Sequence, residues 1–216
     1  MFNRQTLLIL LAALAAGLGL WAAQVALGPA PAPGVPPLPD PSSLKTVRLF
    51  PTPRALPAFE LQQADGTPLT GEELAGRWTL VFLGFTHCPD VCPTTLTDLA
   101  AAQKAWADLA PERRPQVLFV SVDPARDSPG RTGEYARYFH PDTLAATAQE
   151  PALQEFATAL GLVYMKVPLD GGDYSMDHST AVVVLDPQGR QAGLIRPPLL
   201  PADIAADLRL LAETAP

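Results

Sequence analysis

A strand–helix–strand pattern in the middle of the chain limits the folds that it can adopt. Residues 78–83 and 116–122 are short, largely apolar runs, which are typical of buried strands. Between them, residues 96–109 carry apolar side chains at helical spacing and contain neither proline nor glycine. This order predicts two parallel strands joined by a right-handed crossover, and therefore an α/β fold.

The only two cysteines of the chain, Cys88 and Cys92, lie between the first of these strands and the helix. Pro89 and Pro93 suit the first turn of a helix, where a missing N–H is not needed. The unpaired N–H groups and partial positive charge of a helix N-terminus favour thiolate over thiol. We therefore expect a reactive or metal-binding pair of sulfurs at this position.

The spacing of the cysteines favours a metal ion over a disulfide. Positions i and i+4 of a helix have Cβ atoms roughly 5–6 Å apart, whereas a disulfide requires about 3.8 Å. A bridge would need a bent first turn, and so short a loop would constrain little of the unfolded chain. Two sulfurs favour a soft cation such as Cu(I), and a third ligand would complete a trigonal site.

Three histidines are candidates for the third ligand. His87 is adjacent to Cys88, so the two side chains diverge, and His140 follows a predicted helix. His178 lies just before residues 181–185, whose apolar run predicts another central strand. Because a loop that leads into a central strand can place a side chain over the tip of a neighbouring strand, we take His178 as the third ligand.

Asp123 follows the second apolar strand directly. In open α/β sheets, functional sites lie beyond the carboxyl ends of the strands, so Asp123 is expected near the cysteines. It is either a turn or helix-capping residue, or a carboxylate that orients a metal ligand. Arg126 and Asp127, which come next, are interpreted as a surface ion pair.

Two further patterns extend the predicted sheet. The Asp65-Gly66 turn after Phe59 predicts an opening β-hairpin. Residues 181–185 and 191–195 predict a second hairpin, and a closing helix is expected over residues 201–212.

The N-terminus contains a long uncharged segment, residues 6–27. These 22 residues would span about 33 Å as a helix, enough for a hydrocarbon core of about 30 Å. Arg4 precedes the segment and no basic residue follows it until Lys45, which predicts a cytoplasmic N-terminus. A cleaved signal peptide is the alternative, but its apolar region would be shorter. We expect an uncleaved transmembrane anchor over residues 1–28.

The distribution of prolines predicts where the linker and the folded domain lie, and the net charge limits the class of partner. Ten of the 25 prolines lie between residues 29 and 57, so residues 29–55 are expected to form an extended linker. The folded domain is then expected over residues 56–213. The formal net charge of −7 argues against a nucleic-acid partner, which would require a basic face.

Three separated motifs together resemble the Sco (SenC) family. In chain order they are Phe82-Leu83-Gly84-Phe85-Thr86-His87-Cys88-Pro89-Asp90-Val91-Cys92-Pro93, Ser121-Val122-Asp123-Pro124-Ala125-Arg126-Asp127 and Asp177-His178-Ser179-Thr180. The likeness extends over about residues 59–211. It implies a membrane-anchored, thioredoxin-like copper protein that takes part in assembling the CuA centre of cytochrome c oxidase.

Carried onto this chain, the resemblance implies that Cys88, Cys92 and His178 are copper ligands and that Asp123 is the acidic residue near the copper. Cu(I) is expected, and Cu(II) also, because an imidazole and a carboxylate suit the harder ion. The expected partners are the CuA-bearing oxidase subunit and a periplasmic copper donor. The expected architecture is a thioredoxin-like domain with an N-terminal β-hairpin extension, exposed on the exported side of the bacterial inner membrane behind one transmembrane helix.

The same residues are compatible with other activities. As a thiol–disulfide reductase, Cys88 and Cys92 would keep the cysteines of the CuA site reduced. A peroxiredoxin-like site needs Thr-x-x-Cys, and Thr86 is one residue too close to Cys88. Two Cys, one His and a water can hold catalytic zinc, but the motif contains no Glu to act as base. A structural zinc site needs four protein ligands, more than these residues supply.

Overall fold

The computed structural model describes residues 3–27 and 39–214. Residues 3–27 belong to one compact unit of the chain and residues 39–214 to a second. In the first unit, helix α1 spans Arg4–Leu27. Its segment Arg4–Ala23 has a mean hydropathy of 2.2 and none of it is buried. By length and composition this helix could cross a membrane. Residues 29–38 of the predicted linker, and residues 1, 2 and 28 of the predicted anchor, lie outside the described residues.

The described part of the second unit contains five helices and ten strands. The helices are α2 (Gly71–Leu74), α3 (Val91–Ala105), α4 (Pro129–Phe139), α5 (Ala152–Ala159) and α6 (Pro201–Thr214). The strands are β1 (Arg48–Arg54), β2 (Leu61–Gln63), β3 (Pro68–Leu69), β4 (Thr79–Gly84), β5 (Gln116–Ser121), β6 (Leu144–Thr147), β7 (Tyr164–Pro168), β8 (Tyr174–His178), β9 (Val182–Leu185) and β10 (Gln191–Ile195).

Eight of these strands form one mixed sheet in the order β1-β10-β9-β4-β5-β6-β2-β3. Strands β4 and β5 lie at its centre and run parallel, with Thr79 opposite Gln116 and Gly84 opposite Ser121. Every residue of both strands is buried, as their continuous apolar sequences predict. Helix α3 connects them, so the predicted strand–helix–strand unit and the α/β class are confirmed.

Both predicted hairpins are present. Strands β2 and β3 pair antiparallel with Leu61 opposite Leu69, and the turn between them uses a positive φ of 86° at Gly66. Strands β9 and β10 pair antiparallel with Val184 opposite Gly193. The closing helix is observed as α6.

Strands β7 and β8 form a separate two-stranded antiparallel sheet, called the β7–β8 ribbon below. Its register places Tyr164 opposite His178 and Pro168 opposite Tyr174. The predicted ligand His178 is therefore the last residue of a ribbon strand, rather than part of a loop.

The folded domain begins earlier than residue 56, the start expected from the sequence. Strand β1 lies within residues 29–55, which were assigned to a linker, and it pairs antiparallel with β10. Leu44 and Val47 also belong to the hydrophobic core. Prolines within residues 48–54 concealed this strand, because proline is tolerated at a sheet edge although it is rare in central strands.

The carboxylate of Asp207 in α6 fixes the chain just before β1. It accepts hydrogen bonds from the backbone N–H groups of Lys45, Thr46 and Val47 at 2.9, 2.7 and 2.9 Å. Asp207 is buried, so this carboxylate replaces lost water contacts with three donors from one segment. The hydrogen bonds join the start of the folded domain to its last helix.

The two edge strands of the main sheet both contain proline. Strand β1 includes Pro51 and Pro53, and the two-residue strand β3 begins at Pro68. A proline has no backbone N–H to donate, so neither edge offers a complete row of hydrogen-bonding groups.

Candidate metal centre

The two cysteines occupy the turn between β4 and α3. Cys88 donates its N–H to the carbonyl of Phe85 at 3.2 Å and is half-buried. Cys92 lies in the first turn of α3, which begins at Val91, and its side chain is 0% exposed. Both are free thiols, and the N–H of Cys92 donates to Cys88 Sγ at 3.3 Å. The predicted position between a strand end and a helix start is confirmed.

Gly84 makes room for the buried sulfur. A Cβ atom at this position would lie 2.9 Å from Cys92 Sγ and 2.8 Å from the ring of Phe119. Such approaches are shorter than normal van der Waals contact, so a side chain at residue 84 would displace the sulfur or the ring. The last residue of β4 therefore has to be small for Cys92 to occupy its position.

The β7–β8 ribbon brings His178 to the cysteines. His178 Nε2 lies 3.4 Å from Cys92 Sγ. The potential ligand atoms of Cys88, Cys92 and His178 all lie within 4.8 Å of one another. Residues far apart in the sequence thus converge on one point, as predicted.

The other two histidines have different surroundings. His87 is exposed, and its Nε2 lies 3.4 Å from a guanidinium nitrogen of Arg131. His140 Nδ1 accepts a hydrogen bond from the N–H of Asp142 at 3.2 Å. Neither belongs to the cluster of ligand atoms formed by the described residues.

Hydrogen bonding fixes the tautomer of His178. Nδ1 lies 3.1 Å from the carbonyl oxygen of Ser179, which can only accept, so Nδ1 carries the proton. The lone pair on Nε2 then points to the sulfurs and is free for a metal. Burial lowers the pKa of the His178 imidazole, which favours this neutral form. The rings of Phe82 and Phe85 pack edge-on against the imidazole, with centroids 5.8 and 6.0 Å away.

Burial raises the pKa of the Cys92 thiol, since a thiolate in an apolar environment loses its hydration. In the metal-free protein Cys92 is therefore protonated at neutral pH. A metal ion that binds here must displace this proton, and the attraction between ion and thiolate then compensates for the lost hydration.

The donor set suits a soft ion. Two sulfurs and one imidazole nitrogen can form a trigonal site for Cu(I). Among the described residues no carboxylate belongs to the cluster, so a structural zinc site with four protein ligands is not formed.

Asp123 is buried just beyond the end of β5. Its Oδ1 accepts a hydrogen bond from the hydroxyl of Tyr174 at 2.8 Å, and its Oδ2 accepts one from Nε of Arg126 at 2.5 Å. Its carbonyl also accepts the N–H of Asp127 at 2.9 Å, so Asp123 is a turn residue as well. Its side chain contacts the strand that carries His178 instead of the imidazole itself.

Asp127 was interpreted from the sequence as half of a surface pair with Arg126, and this was wrong. Its side chain is fully buried, and it accepts hydrogen bonds from the N–H and hydroxyl of Thr86 at 2.8 and 2.5 Å and from the hydroxyl of Ser121 at 2.5 Å. Thr86 and Ser121 are hydroxyl residues near the ends of paired parallel strands. That coincidence is the signal that could have indicated a buried acceptor.

Comparison with known proteins identifies relatives along most of the chain. The family model described as SCO1/SenC matches residues 50–213. A Stutzerimonas stutzeri protein whose name describes copper binding is 37% identical over 155 residues, which are 71% of this chain and 74% of that protein. The mitochondrial SCO1 homolog 1 of Arabidopsis thaliana is 36% identical over 60% of this chain, and the match spans only 39% of its length.

Solved structures agree with the fold. The copper-bound structure of ScoI from Bradyrhizobium japonicum superposes with a TM-score of 0.66 and 32% identity, covering 72% of this chain and 98% of that one. A thioredoxin-family thiol:disulfide interchange protein from Chlorobium tepidum shares the fold at a TM-score of 0.51 and 21% identity, covering 76% and 99% of the two chains. The thioredoxin-like α/β fold is thereby confirmed. The chain belongs to the SCO1/SenC family.

Proposed function

We propose that this protein binds one copper ion through Cys88, Cys92 and His178 and delivers it to another protein. The observation that carries the proposal is the convergence of two sulfurs and one imidazole nitrogen within 4.8 Å. Soft sulfur ligands select Cu(I), and the neutral imidazole can complete a three-coordinate site. Copper-bound structures of Sco relatives support the same ion.

The unequal burial of the ligands suits a carrier. Cys92 is enclosed, whereas Cys88 and His178 are half-buried and reach the surface. Ligands of an acceptor protein can therefore replace Cys88 or His178 before Cys92 releases the ion. An exchange of one ligand at a time avoids a free copper ion in solution.

Membership of the SCO1/SenC family supports delivery to the CuA centre of cytochrome c oxidase, with the CuA-bearing subunit as acceptor and a periplasmic copper protein as donor. The apolar helix α1 supports a membrane anchor. Arg4 before that helix favours an N-terminus on the cytoplasmic side. The copper site would then lie on the exported side of a bacterial inner membrane.

Copper stoichiometry tests this proposal. We expect the full-length chain, purified in detergent and loaded with Cu(I) under reducing conditions, to bind one ion. Cys88→Ala should abolish stable binding, and His178→Ala should weaken it, while Arg209→Ala, which removes a half-buried arginine on α6, should bind like wild type. Retention of full affinity in Cys88→Ala would rule out the site.

A thiol–disulfide reductase is the second candidate, and the arrangement of the two thiols favours it. Cys88 is half-buried and its Sγ accepts the N–H of Cys92, while the sulfur of Cys92 is buried behind it. Cys88 would lose its proton and attack a substrate disulfide, and the first substrate sulfur would leave and take up that proton. Cys92 would then attack Cys88 Sγ, its proton would pass to the second departing substrate sulfur, and a Cys88–Cys92 disulfide would form. His178→Ala separates the functions, because a reductase should tolerate it and a three-ligand copper site should not.

A further inference from the structure

His178 reaches the cysteines from the β7–β8 ribbon, whose backbone ladder is separate from the main sheet. A two-stranded ribbon is marginally stable on its own. Contacts between the ribbon and the rest of the domain must therefore determine where the imidazole lies. Polar contacts of this kind are made by the hydroxyl groups of Tyr164 and Tyr174, to Glu150 and Asp123, and by Arg126, which follows β5. Arg126 is the one of these residues that contacts the backbone of the ribbon as well as a side-chain ring.

Arg126 joins the end of β5 to the start of β8. Its Nε donates to Asp123 Oδ2 at 2.5 Å, and its Nη1 donates to the backbone carbonyl of Tyr174 at 3.0 Å. Nη1 also lies 3.4 Å from a carboxylate oxygen of Asp173. The side chain is only 20% exposed, so these interactions are partly protected from water. The planar guanidinium makes these bonds from two separate nitrogens, whereas a lysine has its donors on a single nitrogen.

The side chain of Tyr174 is held on both faces and at its tip. Cζ of Arg126 lies 3.7 Å from the ring centroid, and Nζ of Lys166 lies 3.5 Å from it. Two cations this close cannot share one face, so the ring lies between them. The hydroxyl donates to Asp123 at 2.8 Å, which fixes the rotation of the ring as well.

Tyr174 and His178 lie on the same face of β8, because side chains of a strand alternate with a period of two. Met176 between them on that face is buried against the core. Fixing Tyr174 at one end of the five-residue strand therefore also fixes the direction in which His178 projects at the other end.

We propose that Arg126 is a positioning residue that sets the number of copper ligands, by holding Tyr174 and thus the β7–β8 ribbon so that His178 meets the two sulfurs. The inference rests on the proposed copper site. Without Arg126 the cysteines still hold Cu(I), but the ribbon moves and the ion changes from two sulfurs and one nitrogen to two sulfurs alone.

X-ray absorption at the copper edge of the Cu(I)-loaded full-length chain measures this change directly. Wild type should show two sulfur ligands and one nitrogen, and Arg126→Ala should show the nitrogen lost. The copper affinity, measured by competition with a Cu(I) chelator, should fall by about 10–100-fold, the range typical for partners that orient a metal ligand. The copper affinity of Arg126→Lys should lie between those of wild type and Arg126→Ala. Arg209→Ala, which removes an arginine from α6, should have the affinity of wild type.

A double-mutant cycle separates positioning from general stability. If Arg126 acts through His178, Arg126→Ala should cause no further loss of copper affinity in a His178→Ala background. Additive losses, or a nitrogen ligand and affinity unchanged in Arg126→Ala, would overturn the inference. If circular dichroism shows that Arg126→Ala does not fold, Arg126→Lys decides, since it keeps the positive charge but loses the pair of guanidinium nitrogens that contact Asp123 and the carbonyl of Tyr174. It should weaken copper binding, and wild-type affinity with the nitrogen retained would overturn the inference.

The same measurements distinguish failure of the inference from failure of the proposed function. A wild-type chain that binds no Cu(I), or binds it without a nitrogen ligand, overturns the three-ligand site and the inference with it. If wild type has the expected ligands and Arg126→Ala has the same ligands and affinity, the inference about Arg126 is overturned and the proposed copper site stands.

Discussion

Asp127 binds Thr86 twice, since one carboxylate oxygen accepts the backbone N–H at 2.8 Å and the other accepts the hydroxyl at 2.5 Å. Thr86 is two residues before Cys88, whereas Asp127 follows the neighbouring strand. The paired bonds therefore join the turn that carries the cysteines to the end of β5. A buried carboxylate with several donors is stable only while all of them stay in place, so this pair makes the turn rigid.

Replacing Asp127 by alanine should destabilise the domain strongly. The change leaves the Thr86 N–H and the Ser121 hydroxyl buried without an acceptor, at a cost of about 3 kcal/mol in free energy of unfolding. Urea denaturation followed by near-ultraviolet circular dichroism measures it. Asp108→Ala is the matched control, because its carboxylate pairs with Arg209 at the surface and should contribute about 0–1 kcal/mol. Equal losses in the two variants would contradict the prediction.

Gly84→Ala should weaken copper binding and stability together. The added methyl group would lie 2.9 Å from Cys92 Sγ, so the sulfur must move from its position beside His178. Overpacking of this kind costs about 1–3 kcal/mol. Gly71→Ala provides the control, because the nearest atom to its Cβ would be a ring carbon of Phe59 at 3.8 Å. Chelator competition measures the copper affinity of both variants, and urea denaturation measures their free energy of unfolding. Wild-type copper affinity in Gly84→Ala would refute the prediction.

Asp207→Ala should release the start of the folded domain from α6. Loss of one carboxylate removes the acceptor for three consecutive N–H groups, those of residues 45–47. Hydrogen exchange at these amides should accelerate, and the free energy of unfolding should fall by about 2–3 kcal/mol. Asp203→Ala, one turn earlier on α6, removes only the exposed pair with Lys45 and should leave the exchange unchanged. Slow exchange of the three amides in Asp207→Ala would show that the segment is held by other contacts.

Stability should decrease on mild acidification, and His140 should contribute to the decrease. Burial lowers the pKa of His140 below its ordinary value of 6.5. The unfolded chain therefore binds a proton first, and stability falls as the pH drops from about 6.5 towards the lower folded-state pKa. His140→Asn retains an acceptor near the position of Nδ1 and cannot be protonated. Its melting temperature should fall less than that of wild type between pH 7.5 and pH 5.5, and parallel curves would contradict the assignment.

The central strands and the convergence of Cys88, Cys92 and His178 could be predicted from signals in the sequence. Strands β4 and β5 are continuous apolar runs, and burial on both faces follows from that sequence. The cysteine spacing predicted two sulfurs close together at a helix N-terminus, where the structure has them, and that they bind a metal ion stays a prediction. His178 required one further step, the expectation that a residue before a central strand lies over the sheet, and the resemblance to the Sco family supported it.

The features that were missed depend on partners distant in sequence. Strand β1 contains two prolines, so its local sequence does not predict a strand. It adopts this structure because it pairs with the edge of β10. Asp127 and Arg126 look like surface charges in the sequence, and only the packing of β4, β5 and the ribbon encloses them. These side chains are buried by contacts with residues 40 or more positions away in the sequence. Asp127 and its hydrogen-bond partner Thr86, for example, are separated by 41 positions.

The prolines at the sheet edges have a consequence for encounters between copies of this domain. At high concentration, exposed edge strands of two molecules could pair and begin aggregation. Pro51 and Pro53 on one edge and Pro68 on the other interrupt the row of donors that such joining requires. The margins of the main sheet are therefore poorly suited to strand pairing, and contacts with other proteins are left to other surfaces, such as the cysteine turn that follows the central strand β4.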